Sequence, residues 1–568
     1  MRFAPLAIAV ASVTLVSPVL AHADAKPTPA SSSASASTSA SASTGHAIAA
    51  PTMSVPGGRY TKAVSVQLKS ERGTVVRYTL DGTTPTNTSP AYTPGKPLRI
   101  SKDTNLTAAA FDGKNGKSGK SGKNGKTSSP AVSAGYLIKT KEEPVAKLVI
   151  MSDVHTGSHA TGDARYNAFF NTIGSIFPQP DAILSNGDMI NDNGDGHGPD
   201  HKAVAEIFEA NLARKGMTDT QLLISNGNHD ASLAAIRAGY PREWFPDNGG
   251  GYYESNVNGV HLFTVNTETY NSDTAQRDWL KKRLSQITAN PASVNKPILI
   301  QGHRPATGST VMDDQQTSNP LLTQDLAAFP QAVYFSGHSH LNINDERSIA
   351  QKDFTAVNDG SMSYVEVDHG YQAITDTGLA DRFEATTAQA LFVEVYKDRT
   401  EIARVNMAAD KHDIYQGGEW SANPNPPYSS SGTLSGPTWT LQLKGKNNQE
   451  IKKNFRYTAT ARNTVAPKFT AQQPLTAVRT DAGGTALRIQ QAKDDQMVHH
   501  YNVDITDKAT GKKVLSTKIL SEYYFMPRPN TLDVPVAAVT AGGKYTAQVV
   551  ALDTYGNASR PASLNFSK

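Results

Sequence analysis

Residues Leu148–His155 read LVIMSDVH, four apolar residues followed by a serine and by an aspartate and a histidine with one valine between them. A short apolar run that ends abruptly in polar residues fits a buried strand, and here the polar end carries two side chains able to do chemistry. The pattern repeats downstream. Ala182–Asn191 reads AILSNGDMIN, Leu222–Asp230 reads LLISNGNHD, Ile298–His303 reads ILIQGH and Val333–His340 reads VYFSGHSH. A sixth apolar run, Val260–Val265, lacks such a motif. Helical spacing lies between the runs, over His201–Lys215 and Thr274–Ile287, and in the second Trp279, Leu280, Leu284 and Ile287 form one apolar stripe that predicts core packing. Strands alternating with helices predict an α/β domain whose site is built on the loops after the strands.

The side chains at those five strand ends are Asp153 and His155, Asp188, Asn228 with His229 and Asp230, His303, and His338 with His340. A single histidine at a strand end is ordinarily a hydrogen-bonded structural residue; five such motifs in series form a set. All are oxygen or imidazole donors, suited to Mn, Fe or Zn without thiolate. Strand alternation predicts that Asp153 and His155 share one side, with Val154 opposite, and likewise His338 and His340 around Ser339. The glycines before Asp188, Asn228, His303 and His338 predict sharp turns and close backbone approach. The chain has no cysteine, which excludes disulfides, thiolate ligands and a cysteine nucleophile.

These motifs, in this order over about 260 residues, resemble the calcineurin-like metallophosphoesterase family. The resemblance implies two mixed sheets sandwiched by helices (αββα) and a binuclear metal centre at the strand ends. It implies one divalent ion on Asp153, His155, Asp188 and His340, a second on Asp188, Asn228, His303 and His338, and Asp188 as the bridge. His229 is then the catalytic histidine that contacts phosphate or protonates the leaving oxygen, and Asp230 its orienting partner. Asn191 stands where purple acid phosphatases carry a metal-binding tyrosine, and Asp230 where 5'-nucleotidases usually carry glutamate. His159, His197 and His201 read as solvated loop residues, while Asn191, Asp192 and Arg304 are candidates to line the pocket.

Around this domain the chain is polar. Its 568 residues allow three to four domains. A net charge of +4, from 55 basic against 51 acidic residues, argues against a stable nucleic-acid partner held by bulk charge. Residues 1–23 read as a secretory signal peptide: Arg2, an apolar stretch Leu6–Leu20 interrupted by Pro18, and a small-x-small cleavage site at Ala21–Ala23 or Ala23–Ala25. That stretch is shorter than the roughly 20 residues a membrane span needs, so no transmembrane segment is expected and the mature chain is expected to be secreted or surface-associated. Residues 24–50 form a Ser/Ala-rich linker.

Residues 51–139 carry strand-like segments at Val64–Leu68, Val75–Leu80 and Leu106–Phe111, and the stretch Tyr78–Thr86, YTLDGTTPT, resembles the chitobiase/β-hexosaminidase C-terminal immunoglobulin-like module. Inside it, Gly113–Lys126 is a Gly/Lys run that reads as a solvated loop or as a contact for an anionic cell-wall polymer. The phosphoesterase-like domain is expected over 143–410, a loop-rich extension over 411–465, and a β-sandwich over 466–568 whose Asp553–Ser559 turn resembles the last hairpin of a fibronectin type III-like domain.

Two functions remain open at this stage: a metal-dependent hydrolase of phosphoesters, and a non-catalytic cell-envelope binding protein. Within the first, the scarcity of cations beside the motifs favours a phosphodiester over a monoester or nucleotide substrate. Because the flanking domains supply no motif residue, a fragment of about 140–465 is expected to retain hydrolysis.

Overall fold

The computed structural model describes residues 48–113, 128–139, 141–156, 162–191, 201–310, 319–363, 365–367, 382–384, 388–407, 413–416, 419–422, 432–458, 460–462, 465–480, 483–523, 528–537 and 539–568. The leader, the linker up to residue 47, the Gly/Lys run after Gly113, His159, Asp192 and His197 lie outside them.

The apolar runs form two sheets. In the first, β1 (Ala146–Met151) pairs parallel with β2 (Ala182–Ser185), and β2 with β3 (Gln221–Ile224). On its other side β1 pairs antiparallel with β10 (Gln389–Val395), and β10 with β11 (Thr400–Asn406). Two short strands, β12 (Thr433–Leu434) and β13 (Trp439–Leu441), complete this seven-stranded sheet on β11, so part of the expected loop-rich extension belongs to the central sheet.

The second, six-stranded sheet runs in the order β4 (Tyr253–Val257), β5 (Val260–Thr264), β6 (Ile298–Gly302), β7 (Ala332–Ser336), β9 (Thr355–Asn358), β8 (Ile349–Gln351), with β5, β6, β7 and β9 parallel.

Strand pleating sends alternate residues to two different cores. In β7, Val333 and Phe335 join the core shared with the first sheet, while Ala332 and Tyr334 join the core under α4 (Thr274–Thr288) and α5 (Pro320–Leu326). The predicted stripe on α4 is buried there, with Leu280, Leu284 and Ile287 in the core and Trp279 against it. On the outer face of the first sheet, α1 (Gly162–Ile176) contributes Tyr166, Phe169, Phe170 and Ile173, and α2 (His201–Lys215) contributes Val204 and Phe208, while α3 (Leu233–Gly239) adds Ile236 to the same core. Helix, sheet, sheet and helix are therefore layered, and the parallel strands β1, β2, β3, β6 and β7 all release their motifs at their C-terminal ends.

Among the described residues the flanking regions are built of strands, and both are docked onto this domain. Residues 52–138 form a four-stranded sheet and two two-stranded ones around a core of Val66, Ile100, Leu106 and Tyr136. Residues 475–567 form sheets of three and four strands around Leu487, Val503 and Val549. Arg59 reaches the buried carboxylate of Glu394 in β10 at 2.7 Å, and the Asn105 side chain exchanges two 2.7 Å hydrogen bonds with the backbone of Leu434. No helix among the described residues is long and apolar enough to cross a membrane.

Candidate metal centre

The loops after β1 and β2 stay paired past the strand ends: Asp153 N donates to Gly187 O at 3.1 Å, and His155 N to Asp188 O at 3.0 Å. The backbone then turns in an unusual way. Asp153, His155, Asp188, His338 and His340 all have φ between 50° and 65°, and they are five of the eight non-glycine residues with positive φ among the described residues. Left-handed backbone costs a side-chain-bearing residue on the order of 1–3 kcal/mol, and its concentration here points to a site where ligand direction outweighs local comfort. This corrects the alternation argument. Both Asp-His and His-His pairs do face one site, but they lie beyond the strands, and left-handed turns rather than the pleat aim them. The preceding glycines act mostly by size: a Cβ on Gly227 would collide with Asp188, and one on Gly337 with Ser152 and Asp153.

Two clusters result, and a third grouping of His155, Asp188 and His229 overlaps them. Asp153, His155 and His340 form one: His340 Nε2 is 3.1 Å from Asp153 Oδ1 and 3.2 Å from His155 Nε2. Asp188, His303 and His338 form the other, with His303 Nε2 at 3.1 Å from Asp188 Oδ2 and 3.0 Å from Asn228 Oδ1. Asp188 Oδ2 also lies 3.8 Å from His155 Nε2, so this carboxylate faces both groups. Asp153, His155, Asp188, His303 and His340 are buried, while Asn228 is exposed and His338 and His229 are half-buried.

Burial disfavours charge on both aspartates. His340 and His303 nevertheless hold Asp153 down to about 2, and His303 with His155 holds Asp188 well below the usual carboxylate range. Burial keeps His155 neutral by lowering it to about 4, and burial with His303 and Arg304 nearby lowers His338 well below its ordinary value. His303 is the exception: burial opposes its charge, but Asp188 raises it to about 10. Asp153 Oδ1 is buried with no hydrogen bond. Ionised Asp153 and Asp188 and the neutral imidazoles of His155 and His338, converging on one place, form a donor set that suits divalent cations.

Neighbouring side chains fix the donors. Asn191 Oδ1 is 3.3 Å from His155 Nδ1, and the Asn186 carbonyl is 2.8 Å from His303 Nδ1, leaving each Nε2 toward the site. Arg304 is at the site: its Nη1 stands 3.0 Å from His338 Nε2, while Nε and Nη2 donate to Glu268 at 2.8–3.0 Å. Residues 146–342 match the family model described as calcineurin-like phosphoesterase. The central domain is a calcineurin-like phosphoesterase.

Residues 55–122 match a second family model, the chitobiase/beta-hexosaminidase C-terminal domain. No curated protein sequence matches the chain. Solved structures similar to it include a purple acid phosphatase from yellow lupin (Lupinus luteus) seeds, at 12% identity and TM-score 0.34, covering 63% of this chain and 72% of that one. Another is GAP50, the anchor in the inner membrane complex of Plasmodium, at 15% identity and TM-score 0.31, covering 50% and 91%. A third is Vps29 of Chaetomium thermophilum, at 10% identity and TM-score 0.24, covering 53% and 98%.

Two sequence expectations for this phosphoesterase domain change. Asp230 is engaged with backbone instead: its carboxylate accepts the N–H groups of Asp188, Gly227 and Met189 at 2.7–2.9 Å and that of Ile190 at 3.3 Å. It holds the loop that carries Asp188. His201 is buried at the start of α2, 3.1 Å from the Asp230 carbonyl and 3.0 Å from the Tyr240 hydroxyl, and is not a solvated loop residue. His229 packs edge-on against His155 with ring centroids 4.8 Å apart, its backbone N–H donates to Asp188 Oδ1 at 2.7 Å, and its Nδ1 is buried without a hydrogen bond. Sequence reasoning missed Asp359. It belongs to Asn358-Asp359-Gly360-Ser361, which follows the apolar end of β9 just as the other motifs follow theirs.

Proposed function

We propose that this protein is an exported phosphodiesterase that uses two divalent metal ions, of Mn, Fe or Zn type. The observation that carries the reading is the position of Asp188 between two clusters of oxygen and imidazole donors. Asp153, His155, Asp188 and His340 would hold one ion, and Asp188, Asn228, His303 and His338 the other. Such ions supply Lewis acidity toward phosphoryl oxygens and make water a nucleophile near neutral pH.

The chain's own residues supply the rest. Hydrolysis forms a bond from a water oxygen to phosphorus as the bond to the ester oxygen breaks in line, and the departing oxygen must gain a proton. His229, half-buried beside the clusters with its backbone tied to Asp188, would give that proton. Arg304 is already matched by Glu268, so it adds little net positive charge to the pocket. A diester, with one negative charge, suits that balance better than a dianionic monoester.

The apolar leader at 1–23 supports export. The chitobiase-type module supports an association with cell-surface polymer, and the Lys-rich run that would meet an anionic one lies outside the described residues. Rates on bis-p-nitrophenyl phosphate and p-nitrophenyl phosphate with added Mn²⁺ test the substrate class. A higher kcat/KM on the diester is expected; a clear excess on the monoester overturns the diester reading, and no turnover of either argues for a binding protein.

A further inference from the structure

Asp359 is fully buried at the end of β9, in the second sheet, yet its carboxyl group reaches the loops of the first. Its Oδ1 lies 2.7 Å from Ser152 Oγ, and Ser152 Oγ makes a short hydrogen bond to Asp153 Oδ2. Its Oδ2 accepts the Asn186 side-chain amide at 2.7 Å, and the carbonyl of the same Asn186 is 2.8 Å from His303 Nδ1. Ser152 and Asn186 are themselves fully buried. The backbone around Asp359 is pinned as well: its N–H donates to Ser336 O at 2.9 Å, Met362 N–H donates to Ser152 O at 3.0 Å, and Ser361 Oγ donates to the Asp153 carbonyl at 3.2 Å. One carboxyl group is thus linked through Ser152 to a ligand of one cluster and through Asn186 to a ligand of the other.

We propose that Asp359 is the positioning residue that holds both half-sites of the metal centre in register, acting as a neutral carboxylic acid that donates to Ser152. A count of hydrogens leads there. Ser152 has one hydroxyl hydrogen and two carboxyl oxygens in contact. Asp153, a ligand, is the ionised partner, so the hydroxyl donates to Asp153 and the hydrogen between Asp359 and Ser152 must come from Asp359. The Asn186 amide then donates to the remaining Asp359 oxygen, so each of the three contacts, Ser152 with Asp153, Ser152 with Asp359 and Asn186 with Asp359, carries one hydrogen. Burial and the nearby Asp153 charge push the Asp359 carboxyl well above the usual range, in agreement with that count.

An asparagine at this position reproduces the pattern, because its amide N–H donates to Ser152 and its oxygen accepts from Asn186; alanine removes both links. The inference rests on the ligand assignment above, and direct Mn²⁺ binding to the full chain separates the two. Wild-type protein that binds no metal overturns the ligand assignment. With metal bound by wild type, Asp359→Ala is expected to weaken both equivalents by about 10- to 100-fold, the usual effect of removing a partner behind a ligand. Asp359→Asn is expected to restore affinity to within about threefold of wild type by the same reasoning.

Ser152→Ala, which cuts only the link to Asp153, is expected to weaken one equivalent and to cover the case in which Asp359→Ala does not fold. Asp359→Ala with unchanged affinity, or Asp359→Asn as damaging as alanine, or Ser152→Ala without effect, would each overturn the proposal.

Discussion

Oδ2 of Asp188 stands 3.1 Å from Nε2 of His303 and faces Nε2 of His155 at 3.8 Å, so one carboxylate serves two imidazoles from different sheets. Asn228, by contrast, is exposed, with its Oδ1 3.0 Å from His303 Nε2. Asp188→Ala is therefore expected to lose more bound metal than Asn228→Ala, measured as equivalents retained after gel filtration. Two equivalents retained by the Asp188 variant would refute a bridging role.

His229 donates its backbone N–H to Asp188 and packs its ring edge-on against His155, with a ring nitrogen within 4.8 Å of donor atoms of both. Its replacement by alanine should leave metal content intact and cut kcat by about 10²- to 10⁴-fold, the range for a lost general acid. Loss of metal on that substitution would instead make His229 a ligand.

Asp230 has a different duty, since its two oxygens accept four backbone N–H groups of the Asp188 and Asn228 loops. Asp230→Asn turns an NH₂ group toward those donors. The expected result is destabilisation of about 1–3 kcal/mol for each N–H left unpaired, read from urea unfolding. Unchanged stability with a large loss of turnover would return Asp230 to a role behind His229.

Glu346 lies at the contact between the phosphoesterase domain and the C-terminal sandwich, where Thr554 Oγ1 donates to its Oε1 at 2.6 Å. Burial, with Asp345, Asp553 and Asp494 adding like charge, raises it from 4.5 to about 8. Below pH 4.5 the group is neutral folded or unfolded. Between there and about pH 8 the unfolded chain ionises first, so stability falls as pH rises through this window. The drop in melting temperature from pH 5 to pH 8.5 should be smaller in Glu346→Gln than in wild type; equal drops would show that Glu346 does not titrate across this contact.

The N-terminal module also bears on stability. Arg59 and Lys139 face Glu394, whose side chain is 2% exposed, and Leu137 belongs to the same hydrophobic core as β1. A fragment of residues 140–465 strips those partners away. It should melt well below the full chain, despite containing every motif residue, and a fragment as stable and active as the whole would show that the docking is incidental.

The sequence by itself determined the order of the five motifs and the strands that deliver them, because an apolar run ending in glycine and a metal-type donor is a local pattern that survives whatever the tertiary arrangement. Tyr166, Phe208 and the α4 stripe were legible to different degrees for the same reason: the α4 spacing shows in one dimension, whereas the aromatic packing of α1 on α2 does not. Only the tertiary structure decided how the donors are aimed. Nothing local announces that Asp153, His155, Asp188, His338 and His340 adopt left-handed backbone, since such strain persists only where surrounding contacts over-determine it. Asp230 and Asp359 make the same point. Asp230 looks like a partner for its neighbour His229, yet its carboxylate accepts from backbone as far as 42 positions away, and the Asp359 carboxyl group meets Ser152 across 207, a demand that arises only when those groups are buried together.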